Sequence, residues 1–171
     1  SAIMEAAMEK MPNDVAAARF MAGLFARAGK PGMALRQLAR LLEANEEAVD
    51  DVNAGVEELA RGGLDKVFLR SFTDQAAAEA SPLKPAMIYL AGRLALAGGQ
   101  EELAASQFEK SIDADGFFFP AYQSLIDLRL EAGRYDQARQ LAEKLAQRTA
   151  TDDKKRYFAL YLEGKIEFAQ G

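Results

Sequence analysis

Apolar residues recur along the chain at spacings of three and four, over stretches of about a dozen residues, with glycine-bearing turns between successive stretches. That spacing lines one face of a helix with a 3.6-residue turn and does not suit the alternation of a strand. The stretches come in pairs, so the pattern predicts a helix, a tight turn and a second helix, repeated along the chain. The pairs also repeat one another. Gly99 and Gly133, Ala104 and Ala138, Pro85 and Phe119, and Leu94 and Leu128 are each separated by 34 residues.

Small and large residues occupy fixed places within this period. Counting from Pro85, the unit carries Ile88, Ala91, Gly92 and Ala95 on its first helix, Gly99 in the turn, and Ala104, Phe108 and Ser111 on its second. Ala22, Gly29, Ala34 and Leu38 repeat the scheme in a unit starting at Val15, and Tyr122, Leu125, Gly133, Ala138 and Leu145 do so from Phe119. Glycine in the turn supplies a left-handed backbone without steric penalty. Small residues at positions 8 and 20, a large one at 24 and a period of 34 resemble the tetratricopeptide repeat (TPR) family.

The resemblance implies an all-α fold, a right-handed superhelical solenoid of antiparallel helix hairpins, in one TPR-like domain over 1–171. Residues 1–14 are expected to be the second helix of a truncated repeat. Units follow at 15–48, 49–84, 85–118 and 119–152, and 153–171 is the first helix of another truncated repeat, with Leu160, Gly164 and Gly171 matching from about Tyr157. Two units depart from the pattern. In 49–84, Gly62 and Gly63 mark the turn, but Phe68 stands where alanine is expected, and the Ser81-Pro82-Leu83-Lys84-Pro85 segment predicts a longer connection. The unit from Phe119 has Ile126 at the small position and Arg129 at an apolar one.

Composition narrows the function. Half the residues are hydrophobic and only five are proline, as in close-packed helices. Cysteine and histidine are both absent, which removes Cys/His zinc sites, cysteine nucleophiles, Ser-His-Asp triads and histidine acid-base catalysis. No catalysis and no cofactor are expected. A net charge of −5 disfavours nucleic acid, and no run of eighteen apolar residues predicts a membrane span. The first residues, with Glu5 and Glu9 and no basic segment, do not read as a signal peptide. Without cysteine, cytoplasm and periplasm stay equally open.

Several motifs dissolve on inspection. Gly23 and Gly29-Lys30 are spaced one residue too far for a phosphate-binding loop, and Pro31 replaces its Ser/Thr. Asp113-Ala114-Asp115-Gly116 starts like a calcium loop but lacks the rest of its ligand series. Phe117-Phe118-Phe119 reads as a junction stapled into the neighbouring unit.

The resemblance further implies a concave groove lined by positions 2, 5, 9, 12 and 13 of the first helices, where a partner protein or peptide is held. Carried onto this chain, those positions include Arg19, Gly23 and Arg27; Asn53, Glu57 and Arg61; Tyr89, Arg93 and Leu96; Gln123, Asp127, Leu130 and Glu131; and Tyr161, Lys165 and Phe168. Arg19, Arg27, Arg61 and Arg93 would make the groove basic early, and Asp127 and Glu131 acidic late. Arginine forks suit carboxylates, so the expected partner is a peptide with acidic groups. Gly23, Tyr89 and Arg93 depart from the family's chaperone-binding clamp. Two alternatives are self-association through apolar faces at Met4, Ala7, Met8 and at Leu160, Ile166, Phe168, and an RNA-binding helical-repeat array, which the acidic charge disfavours.

Overall fold

The computed structural model describes residues 14–171, so the helix expected within 1–14, with Met4, Ala7 and Met8, lies outside the described residues. Among those described, every regular element is helical: α1 (Val15–Arg27), α2 (Pro31–Ala44), a 3-10 turn (Glu46–Ala48), α3 (Val49–Arg61), α4 (Lys66–Ala78), α5 (Lys84–Ala97), α6 (Glu101–Ala114), α7 (Phe119–Glu131), α8 (Tyr135–Arg148) and α9 (Asp153–Gln170). The protein is all-α. Asp14, Asp65 and Asp152 cap α1, α4 and α9 by accepting free backbone N–H groups, and Pro31, Pro85 and Pro120 sit in first turns, where no amide partner is needed.

Three hairpins close tightly: α1 with α2, α5 with α6, and α7 with α8. Gly29, Gly99 and Gly133 hold φ of 69°, 72° and 68° in their turns. After each, the next amide reaches back to a helix carbonyl: Lys30 to Phe25 at 2.9 Å, Gln100 to Ala95 at 2.9 Å and Arg134 to Arg129 at 2.7 Å. These bonds satisfy carbonyls that the helix end would otherwise strand. Ala34, Ala104 and Ala138 are fully buried on the second helices of these pairs, where the missing side chain lets the backbones approach. Gly92 has the same role on α5. A Cβ there would stand 2.6 Å from the Phe108 ring.

The second unit is different. Gly63 has φ 91°, but no amide after it reaches back to Leu59, and α3 and α4 are not among the closely packed pairs. Phe68, where alanine is expected, is partly buried, stacked on Phe72 with ring centroids 6.1 Å apart, and helps line a cleft of about 230 Å³ with Ala60 of α3 and Leu94 of α5. Helix α4 buries only Phe72 and Ala76 and leaves Val67 exposed. Its main neighbour is α5, while α2 passes beside it to pack on α5 directly. The core therefore runs from α1–α3 to α5–α9 past α4, which adds Phe72 and Ala76 to it.

The departures in the unit from Phe119 are accommodated locally. Ile126 is fully buried, and Arg129 turns to the side, donating to Glu109 on α6 at 3.0 Å. Phe118 and Phe119 are buried and Phe117 is half exposed.

Candidate functional site

Apart from Asn53, Tyr89 and Leu130, the expected groove residues divide into three groups. Glu57, Ala60 and Arg61 of α3 face Arg93, Leu96 and Ala97 of α5 across an open cleft of about 600 Å³. All six occupy positions 9, 12 or 13 of their units. A smaller cleft of about 210 Å³, next to α1, takes in Arg19, Gly23 and Arg27 with Leu38 and Glu58. Asp127, Lys165, Glu131, Gln123, Tyr161 and Phe168 lie on α7 and α9, and Lys165 is ion-paired to Asp127.

Tyr89 does not face a groove. It is fully buried, and the closing of α3 and α7 over it is the reason. Its hydroxyl donates to Asn53 Oδ1 of α3 at 2.8 Å and accepts from Ser124 Oγ of α7 at 3.1 Å. Its ring meets Phe108 and Phe118 at centroid distances of 5.5 and 5.8 Å. Burial raises the Tyr89 pKa, so the hydroxyl stays a donor at any ordinary pH. One phenol thus ties three first helices together. Tyr89→Phe is expected to cost about 1–2 kcal/mol, because Asn53 and Ser124 lose their shared partner. Thermal melting measures this, and an unchanged midpoint would contradict it.

The arginines are less free than a bare stripe of charge. Arg19 contacts Asp51 at 3.2 Å and Glu58 at 3.3 Å, and Arg93 contacts Glu57 at 3.4 Å. In all three pairs the carboxylate is well exposed, so the bond is weak and exchanges readily for another carboxylate. Arg93 is also incompletely satisfied, since its Nε is buried without a hydrogen-bond partner among the described residues. Arg27 and Arg61 are exposed and form no ion pair among the described residues.

A larger cleft, of about 900 Å³, sets the expected groove residues Gln123 and Tyr161 among acidic and aromatic side chains that the sequence did not place together. The end of α2, the 3-10 turn and the start of α3 supply Glu43, Glu46, Glu47 and Asp50 on one side, and Phe119, Tyr157, Phe158 and Tyr161 form the other. Glu46 holds the two sides together: its carboxylate accepts from the Phe119 amide at 3.0 Å and lies 3.9 Å from Lys155 Nζ. Burial raises the Glu46 pKa, with Lys155 and the Phe119 amide opposing that shift. A raised folded-state value means that Glu46 favours the fold most when protonated. Its contribution is complete below 4.5, its ordinary value, and is lost as pH rises through the higher folded value. Glu46→Gln is therefore expected to remove this loss, so that wild type falls behind the variant as pH climbs towards 7. Parallel denaturation curves at every pH would contradict it.

On α9, Tyr157, Leu160, Tyr161 and Phe168 are exposed, and Phe168 is 90% so. Ile166, expected on the same apolar face, is instead buried with Ala159 and Leu162. It lies nine residues after Tyr157, which is half a turn round the helix. Among the described residues there is no group of three acidic side chains placed to hold a metal ion, and no helix is long and apolar enough to cross a membrane. No protein-family model, curated protein or solved structure matches this chain.

Proposed function

We propose that this protein is a tetratricopeptide-type interaction scaffold, a solenoid of stacked helix hairpins that holds a peptide of a partner protein and carries out no catalysis. The observation that carries this reading is the α3–α5 cleft, whose six lining residues all come from groove positions of two successive first helices. Ala60, Leu96 and Ala97 offer it an apolar floor, and Arg61 and Arg93 supply the charge. The buried, unpartnered Nε of Arg93 is the group with most to gain from an incoming carboxylate. The occupant is an extended acidic segment whose carboxylate displaces Glu57.

Selection of random octapeptides on the immobilised protein is expected to enrich sequences bearing Asp or Glu. Their affinity, read by fluorescence anisotropy, falls about tenfold or more when Arg61 and Arg93 are both replaced by alanine. Acidic peptides that bind the double variant equally well would overturn the reading.

The exposed apolar side chains along α9 favour a second reading, self-association. Leu160 and Phe168 are 56% and 90% exposed, and a second copy would cover them. Light scattering then shows a concentration-dependent mass that Leu160→Glu with Phe168→Glu returns to the monomer. A monomer at all concentrations would discard this reading.

A further inference from the structure

The larger cleft has a chemistry opposite to that of the α3–α5 cleft. Its acidic side presents Glu43, Glu47 and Asp50, all exposed and none in an ion pair among the described residues. Glu46, the fourth carboxylate, is already engaged and serves as the strut between the sides. Facing them is a stack of rings: Phe119 lies on Phe158 at 4.2 Å, with Tyr161 edge-on at 6.4 Å and Tyr157 against Phe158 at 6.1 Å. Tyr157 and Tyr161 remain 67% and 47% exposed, so these faces are open to a ligand.

Carboxylates opposite aromatic faces form a site for a cation carried on an apolar stem. The charged head is attracted both by the anions and by the ring quadrupoles, and the methylenes lie along the rings. Arginine satisfies this best, because its planar guanidinium stacks on a ring while its edge donates to a carboxylate. The protein already makes such a contact beside the cleft, where Lys155 Nζ sits 5.3 Å from the centre of the Phe117 ring. Lys154 and Lys155 also line the cleft, but four carboxylates against two ammonium groups leave it negative. Lys155 is held by Glu46, and Lys154 is exposed at the rim.

We propose that the cleft between the acidic α2–α3 junction, Glu43 to Asp50, and the aromatic face of α7 and α9 docks a basic segment of a partner protein, with an arginine side chain entering between Glu47 and the Tyr157–Tyr161 pair. The scaffold then has two docking surfaces of opposite sign, one on α3 and α5 and one at the α9 end. This assignment does not depend on the acidic-peptide reading of the first cleft.

The test uses the whole chain carrying Arg61→Ala and Arg93→Ala, so that the first cleft is disabled. Random octapeptides selected on this protein are expected to be rich in Arg beside aromatic or aliphatic residues. Binding of the selected peptides, measured by anisotropy, weakens about tenfold or more in two further variants, Glu43→Gln/Glu47→Gln/Asp50→Asn and Tyr157→Ser/Tyr161→Ser. The substituted side chains are largely exposed, and circular dichroism checks that helicity is retained. Affinity also falls as salt rises from 50 to about 300 mM, as screening requires. Failure to enrich basic peptides overturns the proposal. So does an enriched pool that binds both variants as tightly as the parent. Light scattering of the parent separates the remaining occupant: if a second copy covers Tyr157 and Tyr161 and excludes the peptides, the proposal fails.

Discussion

Phe108→Ala is expected to destabilise the protein by about 3–5 kcal/mol, one of the two largest effects of any single change considered. The ring is fully buried, lies against Tyr89 and covers the backbone of α5 at Gly92. Alanine leaves a void next to a helix that cannot move inward, because Ala104 already holds α5 and α6 at close range. Gly92→Ala tests the same contact from the other side. Alanine is the better helix former by about 1 kcal/mol, yet its Cβ would stand 2.6 Å from the Phe108 ring. Overpacking of that kind costs about 1–3 kcal/mol and should win. Combining Gly92→Ala with Phe108→Leu removes the clashing ring edge, so the double variant is expected to lose less than the two single losses added together. Urea denaturation of the four proteins measures the coupling. Simple additivity would show that the ring and the glycine do not share the space assigned to them.

Ala104→Leu is the second large effect, a loss of about 1–3 kcal/mol. Ala104 is fully buried between α5 and α6, the most extensively packed pair. Three extra carbons there force the two backbones apart. Ala138→Leu should behave alike between α7 and α8, whereas Ala77→Leu on the exposed face of α4 should fall within about 0.5 kcal/mol of wild type. Equal melting temperatures for all three variants would remove the close-crossing argument.

These positions show what the sequence made legible. A helical hairpin is a local structure, so spacing, capping and turn chemistry suffice to find it. The positive-φ glycines at 29, 99 and 133, and the buried alanines at 34, 104 and 138, could be read from the repeated pattern of small residues, whereas in the longer second unit Gly62 and Gly63 could not be told apart. Phe68 was recognisable as an anomaly, but its consequence was not, because how far α4 moves depends on what lies beyond it. The same reason hid the larger cleft. Glu46 and Phe119 are 73 residues apart, and only the tertiary path that brings α2 onto α5 makes them neighbours. Tyr89 was assigned to a groove from its repeat position, on the assumption that the first helices stay open at that level. Here they close, and the phenol that would have faced a ligand became a strut. Ile166 was misplaced for a simpler reason, since sequence proximity to Phe168 does not give a shared helical face.

The open hairpin of α3 and α4 has a dynamic consequence. A helix that buries two side chains and lacks a close hairpin partner is held by less free energy than the whole molecule. Its amides should exchange with solvent through a private opening, well before those of α5 or α6, and proteases should find the chain first near Gly62–Asp65 or Glu79–Leu83. A cut there would leave the fragments associated, because α2 and α3 both contact α5 without passing through α4. A nicked protein that still elutes and melts as one particle would show that the packing of α2, α3 and α4 on α5 holds the parts together without the covalent joints at either end of this helix.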